Sequence, residues 1–196
     1  MTAPALLIEQ LARRVAARLP HAAEALRHGQ PVQMRRETLT LLFVDGASRD
    51  ALQAETSEHI EAEIGWLAAR HGGTVDEFAE HGILVAFEHA TAGVDMALDL
   101  QQADLESQLR IAVSTVSCLR LRFEHAGQCF ETLLGVEDDL LARAAGGGDG
   151  GIRVSPSTYA LVRDALQPDY SSTLGAQTEP AALQPLLDLD LDEPAA

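Results

Sequence analysis

The stretch GGTVDEFAEHGILVAF, residues 72–87, decides how the chain folds. Residues 74–78 mix β-branched and aromatic side chains with acids, which predicts one short strand. The continuous apolar run at 83–87 is bounded by turn residues and predicts a second strand buried on both faces. The polar turn between the strands contains Glu80 and His81, so the predicted hairpin carries a carboxylate and an imidazole at its tip.

Length and charge limit the function classes. The chain has 196 residues, of which 46% are hydrophobic, and this predicts one soluble globular domain with attached segments. Thirty acidic residues against fourteen basic ones give a formal net charge of -16. Such a charge argues against binding to nucleic acid or to an anionic membrane surface.

The cysteine content and the apolar runs indicate the compartment. Two cysteines, Cys118 and Cys129, are too few for a disulfide framework. No apolar run approaches the roughly 20 residues of a membrane span. Glu9 and Arg13 interrupt the first apolar segment, which argues against a signal peptide. We therefore expect a cytoplasmic protein that does not bind a membrane.

The pattern along the chain predicts an α+β fold. Helical periodicity alternates with short apolar runs in the order β-α-ββ-α-ββ(β)-α-β-α after two N-terminal helical pieces. Helices are predicted at 4–19, 21–28, 50–70, 91–107, 135–145 and from Ser155 onward, with Tyr159, Val162 and Leu166 buried, and strands are predicted at 38–44, 74–78, 83–87, 109–114, 119–123, 129–134 and 152–154. This order indicates a mostly antiparallel sheet flanked by helices.

The N-terminal arm is amphipathic. Leu7, Leu11 and Val15 recur at helical spacing and form an apolar stripe. The basic side chains are expected elsewhere on the helix: Arg13, Arg14 and Arg18. Two interpretations stay open, a helix packed on its own domain and a helix for dimerisation or signal transmission.

Residues 36–185 resemble the catalytic domain of the class III nucleotidyl cyclases. The resemblance is carried by four motifs in order: Leu41-Leu42-Phe43-Val44-Asp45, the stretch 72–87, the segment from Gly135 to Arg143, and Ile152-Arg153-Val154-Ser155 followed by Thr158-Tyr159. The family implies a ferredoxin-like core within the α+β fold. The resemblance covers a cyclase homology domain at 36–185 and leaves an N-terminal arm at 1–35. The acidic composition of residues 186–196 predicts a disordered tail.

The resemblance implies a specific chemistry. Family members form a 3′,5′-cyclic nucleotide by attack of the ribose 3′-hydroxyl on the α-phosphate, with loss of pyrophosphate. Two Asp carboxylates hold a pair of Mg²⁺ or Mn²⁺ ions that activate the hydroxyl and neutralise the triphosphate. An Asn and an Arg, four residues apart on a helix, orient the ribose and stabilise the transferring phosphate. Both sites form across a head-to-tail dimer.

The metal positions match the family in part. Asp45 takes the position of the first metal-binding Asp, and His81 takes that of the second. Because Mg²⁺ prefers oxygen ligands, His81 is a poor substitute for a carboxylate. Asp45 and His81 could instead hold Zn²⁺ or Mn²⁺, although two ligands make a weak site.

The positions for base reading and for phosphate stabilisation also match the family only in part. Glu77 replaces the Lys that reads adenine and is typical of guanine-selective members, whereas Thr132 matches the Thr form of the second base contact. Asp139 replaces the Asn and adds a negative charge beside the expected triphosphate, and Arg143 is retained. Three of the six positions, Asp45, Thr132 and Arg143, follow the family.

Two functions remain open from these residues. The first is a degenerate cyclase homology domain that acts as a dimerising, regulatory or nucleotide-sensing module. The second is an active but atypical purine nucleotide cyclase that converts ATP or GTP into cAMP or cGMP. The expected cofactor is Mg²⁺ or Mn²⁺ if the chain is active, and none otherwise. The expected partners are a second copy of the chain, a purine nucleoside triphosphate and a regulatory protein.

Overall fold

The computed structural model describes residues 5–45, 54–79, 82–102, 109–136, 140, 151–163 and 183–185. Helices and strands alternate along this part of the chain and confirm the predicted α+β class. In chain order they are α1 Ala5–Ala16, α2 Pro20–Arg27, β1 Val32–Asp45, α3 Ala54–Arg70, β2 Thr74–Asp76, β3 Gly82–Phe87, α4 Ala90–Gln102, β4 Arg110–His125, β5 Gln128–Leu134, β6 Gly151–Val154, α5 over 156–163 and β7 Leu183–Pro185.

The described strands form one sheet in the order β2-β3-β1-β4-β6-β7, and β5 pairs with β4. The pairs β2–β3, β3–β1, β1–β4 and β4–β5 are antiparallel. β6 runs parallel to β4 and to β7. The sheet is therefore mostly antiparallel, as the sequence predicts.

The predicted hairpin at 72–87 is confirmed. β2 and β3 pair antiparallel, with Val75 opposite Val85, and β3 lies between β2 and β1 in the interior of the sheet. β2 ends two residues earlier than predicted. At that point the carboxylate of Asp76 accepts a hydrogen bond of 3.0 Å from the amide of Phe78, which turns the chain out of the strand.

β4 is one continuous strand, whereas the sequence predicted two strands at 109–114 and 119–123. The reason is its partner, because β1 pairs with it from Val32 opposite Phe123 to Val44 opposite Ile111. β1 itself begins at Val32, six residues before the predicted strand. A long ladder of backbone hydrogen bonds holds the polar middle of both strands extended, although their local sequence carries little apolar signal.

The sheet has a core on each face. On one face, α3 and α4 pack against Leu42, Val85 and Val113. On the other face, Leu39, Leu41 and Phe43 of β1 pack against Leu133, Val136 and Leu140. Alternation along a strand sends successive side chains to opposite faces, which explains the unbroken apolar run of β1.

The N-terminal arm packs on the same domain. Leu11 and Val15 of α1 are fully buried in a third core with α2 and with Phe78 and Phe123. Arg14 is buried as well, at 9% exposure, so its predicted position away from the apolar face is wrong. Arg14 lies three residues after Leu11 and therefore on the same side of the helix.

The start of α5 follows the prediction. Ser155 caps the helix by accepting a hydrogen bond of 3.3 Å from the amide of Thr158. The predicted burial of Tyr159 is wrong, because this side chain is 39% exposed. Thr158 and Val162 lie four residues apart and take the buried face, which places Tyr159 outside it. Leu166 lies outside the described residues.

Candidate functional site

Asp45 ends the central strand β1 and is the first candidate site residue. It is only 3% exposed. The ladder between β1 and β4 reaches Val44 opposite Ile111, and one step further places Arg110, the first residue of β4, beside Asp45. The Nη2 atom of Arg110 lies 2.6 Å from the Oδ2 atom of Asp45. The carboxylate that the sequence predicts as a metal ligand is therefore in an ion pair with a guanidinium.

The described residues at this edge do not fit a hard divalent cation. Mg²⁺ requires near-octahedral oxygen coordination, whereas the donor here is one carboxylate already paired with a positive charge. Within the described part of the chain, no group of three or more His, Cys, Asp and Glu residues is placed to hold a metal. The other predicted metal ligand, His81, lies outside the described residues, although the next residue, Gly82, is opposite Asp45 in the sheet.

Asp76, the last residue of β2, is the centre of a second buried polar cluster. Its carboxylate accepts hydrogen bonds from the backbone amides of Phe78 and Leu133, at 3.0 and 2.9 Å. It also accepts one from the hydroxyl of Thr132, which lies 2.9 to 3.0 Å from its two oxygens. The Nη2 atom of Arg14 completes the cluster at 3.3 Å. Four donors from three parts of the chain thus meet at one carboxylate.

Of the two predicted base-contacting residues, Thr132 belongs to this cluster and Glu77 lies beside it. Glu77 follows Asp76 directly and is exposed in the turn. Thr132 is 2% exposed, and its hydroxyl accepts a hydrogen bond of 2.9 Å from the Nε atom of Arg14 while it donates to Asp76. The hydroxyl of Thr132 is therefore engaged within the protein, whereas the carboxylate of Glu77 faces solvent.

Sequence analysis missed Arg14 and Asp76 as members of the site. A signal for Arg14 was present, because it lies three residues after Leu11 and seven after Leu7, on the apolar stripe of α1. A charged residue on such a stripe needs a buried partner. Asp76 gave a weaker signal, since an acid between Val75 and the exposed Glu77 is equally typical of a turn.

A polar cavity of about 430 Å³ is lined by residues of β1, β3, β4 and β5 together with His71 after α3 and Ala92 of α4. Its charged lining includes Arg120 of β4, which contacts Glu37 at 2.8 Å and Glu131 at 3.1 Å. Burial alone would lower the pKa of Arg120, but the hydrogen bonds with Glu37 and Glu131 outweigh burial, and the pKa is raised. Arg120 therefore stays charged, and its ion pairs hold β1, β4 and β5 together at the rim of the cavity.

Asp139 and Arg143, the two predicted catalytic residues, lie outside the described residues. The segment that leads to them is described as far as Val136, which is buried, and Gly135 has a positive φ of 83°. Of the six predicted site residues, the structure thus describes Asp45, Glu77 and Thr132. Thr132 belongs to the cluster around Asp76, and Glu77 follows Asp76 in the chain. Asp45 lies in a separate ion pair with Arg110.

No protein-family model and no curated protein matches this sequence. Solved structures do match it. The adenylyl cyclase CyaB from P. aeruginosa is 23% identical, with a TM-score of 0.56, over 67% of this chain and 83% of the other. The guanylate cyclase domain of RhGC from Catenaria anguillulae, solved in complex with GTP, is 18% identical, with a TM-score of 0.54, over 66% and 84%.

The chain has the class III cyclase fold. A third match with this fold is a class III adenylyl cyclase-like ATP-binding protein from Pseudomonas aeruginosa, 14% identical, with a TM-score of 0.55. That match covers 77% of this chain and 38% of the other protein. The predicted class III cyclase-like architecture is therefore confirmed. In the part of the chain that the structure describes, no helix is long and apolar enough to cross a membrane.

Proposed function

We propose that this protein is a dimerising regulatory module with the class III cyclase fold, which senses a purine nucleotide and has lost nucleotide cyclisation. The observation that carries this proposal is the buried cluster of Arg14, Asp76 and Thr132. In this cluster the N-terminal arm holds both segments that the resemblance assigns to base reading. A movement of α1 would therefore displace those segments through the hydrogen bonds of Arg14.

The loss of cyclisation is supported by the charges at the expected site. Asp45 is paired with Arg110, and His81 and Asp139 replace a carboxylate ligand and a neutral amide of the family pattern. A negative charge at the position of Asp139 would oppose the charge that develops on the transferring phosphate. Arg143 alone would not replace two metal ions in stabilising the charge that develops on the phosphate.

A role in nucleotide sensing is supported by the matched proteins. One of them is solved in complex with GTP, and another is described as an ATP-binding protein. Glu77 is exposed beside the cluster and would accept hydrogen bonds from the ring and amino nitrogens of guanine. We therefore propose a homodimer in the cytoplasm, formed by the domain at 36–185, whose response to ATP or GTP is passed to a protein partner.

Calorimetric titration with ATP and with GTP, each in the presence of Mg²⁺, of Mn²⁺ and of neither ion, tests this proposal. Mass spectrometry of the same samples reports any cyclic product. We expect nucleotide binding without product, weakened in Arg14→Lys and unchanged in Arg13→Lys, the adjacent exposed arginine. Analytical ultracentrifugation should report a dimer. A chain that binds neither nucleotide would contradict the sensing role.

Formation of cAMP or cGMP would instead establish the alternative, an active cyclase with Mg²⁺ or Mn²⁺ as cofactor. In that case Asp45→Ala and Arg143→Ala should each abolish the product. An unaffected rate in both variants would mean that the reaction uses other residues of the chain.

A further inference from the structure

Arg110 lies where the resemblance places a divalent cation. Its guanidinium contacts the carboxylate of Asp45 at 2.6 Å, and the side chain of Asp45 is only 2% exposed. A carboxylate this deeply buried requires a compensating positive charge, from a metal ion or from a side chain. In the described part of the chain the guanidinium supplies that charge.

The sheet itself directs Arg110 toward Asp45. The two residues belong to a row across four strands, in which Gly82 of β3 is opposite Asp45, and Gly151 of β6 is opposite Arg110. Both ends of the row lack a side chain. The described cross-strand partner of Arg110 on β6 and that of Asp45 on β3 are therefore both glycines. Among these four described residues, only Asp45 and Arg110 carry a side chain, and they form the ion pair.

The two cations exclude each other at this carboxylate. A divalent ion bound at Asp45 would lie within a few ångströms of the guanidinium, and the two positive charges would repel each other. The ion would also have to give up part of its hydration for one carboxylate that is already neutralised. The guanidinium of Arg110 incurs neither of these costs, because it belongs to β4 and already lies beside Asp45.

We infer that Arg110 is the resident cation of Asp45, so that Asp45 binds no divalent metal. The inference deepens the proposed function and rests on it, since it makes any nucleotide recognition by this chain independent of a metal at Asp45. It also assigns to Arg110 a positioning role, because the guanidinium fixes the buried carboxylate at the end of the central strand.

Mn²⁺ titration without nucleotide, followed by water-proton relaxation and by thermal unfolding, tests this inference on the full chain. Wild-type protein and Asp45→Asn should give the same Mn²⁺ titration. Arg110→Gln should lower the melting temperature by about 5 °C, since it leaves a buried carboxylate without its partner. The double variant, Asp45→Asn with Arg110→Gln, should recover most of the lost melting temperature, because it no longer buries an unpaired carboxylate. Arg36→Gln removes an exposed arginine of β1 and serves as the matched control.

In Arg110→Gln, Mn²⁺ should bind at least roughly tenfold more tightly than in wild type and raise the melting temperature. Wild-type Mn²⁺ binding that Asp45→Asn abolishes would overturn the inference. An Arg110→Gln variant with wild-type stability, or with no gain in Mn²⁺ binding, would overturn it too. Because no nucleotide is present, none of these failures touches the nucleotide titrations of the proposed function.

Discussion

Arg14 and Asp76 are 62 residues apart in sequence, yet the guanidinium of one lies 3.3 Å from the carboxylate of the other. The two side chains are 8% and 3% exposed. Through this contact the first helix of the chain is tied to the hairpin at 72–87 and, by Thr132, to β5. A change in the position of α1 therefore requires a buried ion pair to break or to move.

We predict that Arg14→Ala lowers the free energy of unfolding by about 3–5 kcal/mol, because it leaves the buried charge of Asp76 without its cation. Urea denaturation followed by circular dichroism measures this change. Arg13→Ala provides the control, since Arg13 precedes Arg14 in the same helix and its side chain is 69% exposed. We expect that variant to remain close to wild-type stability. Equal losses in both variants would mean that the buried ion pair with Asp76 is not responsible.

The hydroxyl of Thr132 gives a second prediction. Thr132→Val keeps the shape of the side chain but removes the donor to Asp76 and the acceptor from Arg14. The unfolding free energy should fall by about 1–3 kcal/mol, which is the cost of leaving buried polar groups without a partner. Thr74→Val in β2 is the control, because Thr74 is exposed. A Thr132→Val variant as stable as wild type would show that the hydroxyl contributes nothing.

Local patterns in the sequence predicted the elements that depend on a few consecutive residues. The run at 83–87 gave a buried strand because β3 lies between two other strands, so both of its faces are covered. The apolar run before Asp45 likewise placed this residue correctly at the end of a buried strand, since β1 lies between β3 and β4. The cap at Ser155 also followed from local chemistry, since a serine before a proline is typical of a helix start.

Features that depend on distant partners were not predictable in this way. β4 is continuous because β1 pairs along its whole length, and nothing within the middle of β4 reveals that ladder. The contact of Arg110 with Asp45 depends on the same register. Arg14 could have been identified as buried from the helical pattern, but its partner Asp76 could not, because many acids in this chain are equally plausible candidates.

The two cysteines should differ in reactivity. Burial raises the pKa of the Cys118 thiol above its ordinary value of 9.0, whereas Cys129 is exposed. We predict that iodoacetamide at pH 8 modifies Cys129 and leaves Cys118 unmodified until the protein is unfolded, because only the thiolate is nucleophilic. Peptide mass spectrometry identifies the modified residue. Rapid modification of Cys118 in the folded protein would contradict its burial.

The raised pKa of Cys118 makes the stability of the protein depend on pH. Since the folded protein raises the pKa of Cys118, it favours the neutral thiol over the thiolate. This contribution is fully present below the ordinary pKa and is lost as the pH rises through the raised value. Cys118→Ala should therefore show a shallower loss of stability than wild type above pH 9, as measured by urea denaturation at a series of pH values.

An exposed ion pair joins the two helices of the arm. Arg27 donates to both carboxylate oxygens of Glu9, at 3.1 and 3.2 Å, and this hydrogen bonding lowers the pKa of Glu9 from its ordinary value of 4.5. A lowered pKa contributes stability above the ordinary value, and this stability is lost as the pH falls through the lowered one. Glu9→Gln should thus be less stable than wild type at pH 7, and the difference should vanish in acid. Thermal unfolding at a series of pH values measures the difference, and a constant difference would rule out the ion pair as its cause.

Two glycines should respond in opposite directions to the same substitution. A Cβ atom on Gly73 would lie 2.5 Å from the ring of Phe87 and 2.7 Å from Val85, whereas one on Gly65 in α3 would meet no atom within 4 Å. Gly73→Ala should therefore lower the unfolding free energy by about 1–3 kcal/mol, because the core of the hairpin must shift to admit a methyl group. Gly65→Ala should raise it by about 0.5–1 kcal/mol, because alanine favours the helix and glycine does not. Urea denaturation of both variants under identical conditions measures the two changes. Because the added group is the same methyl in each case, a shift of equal sign would show that the close packing of Gly73 against Phe87 does not decide the stability of the hairpin.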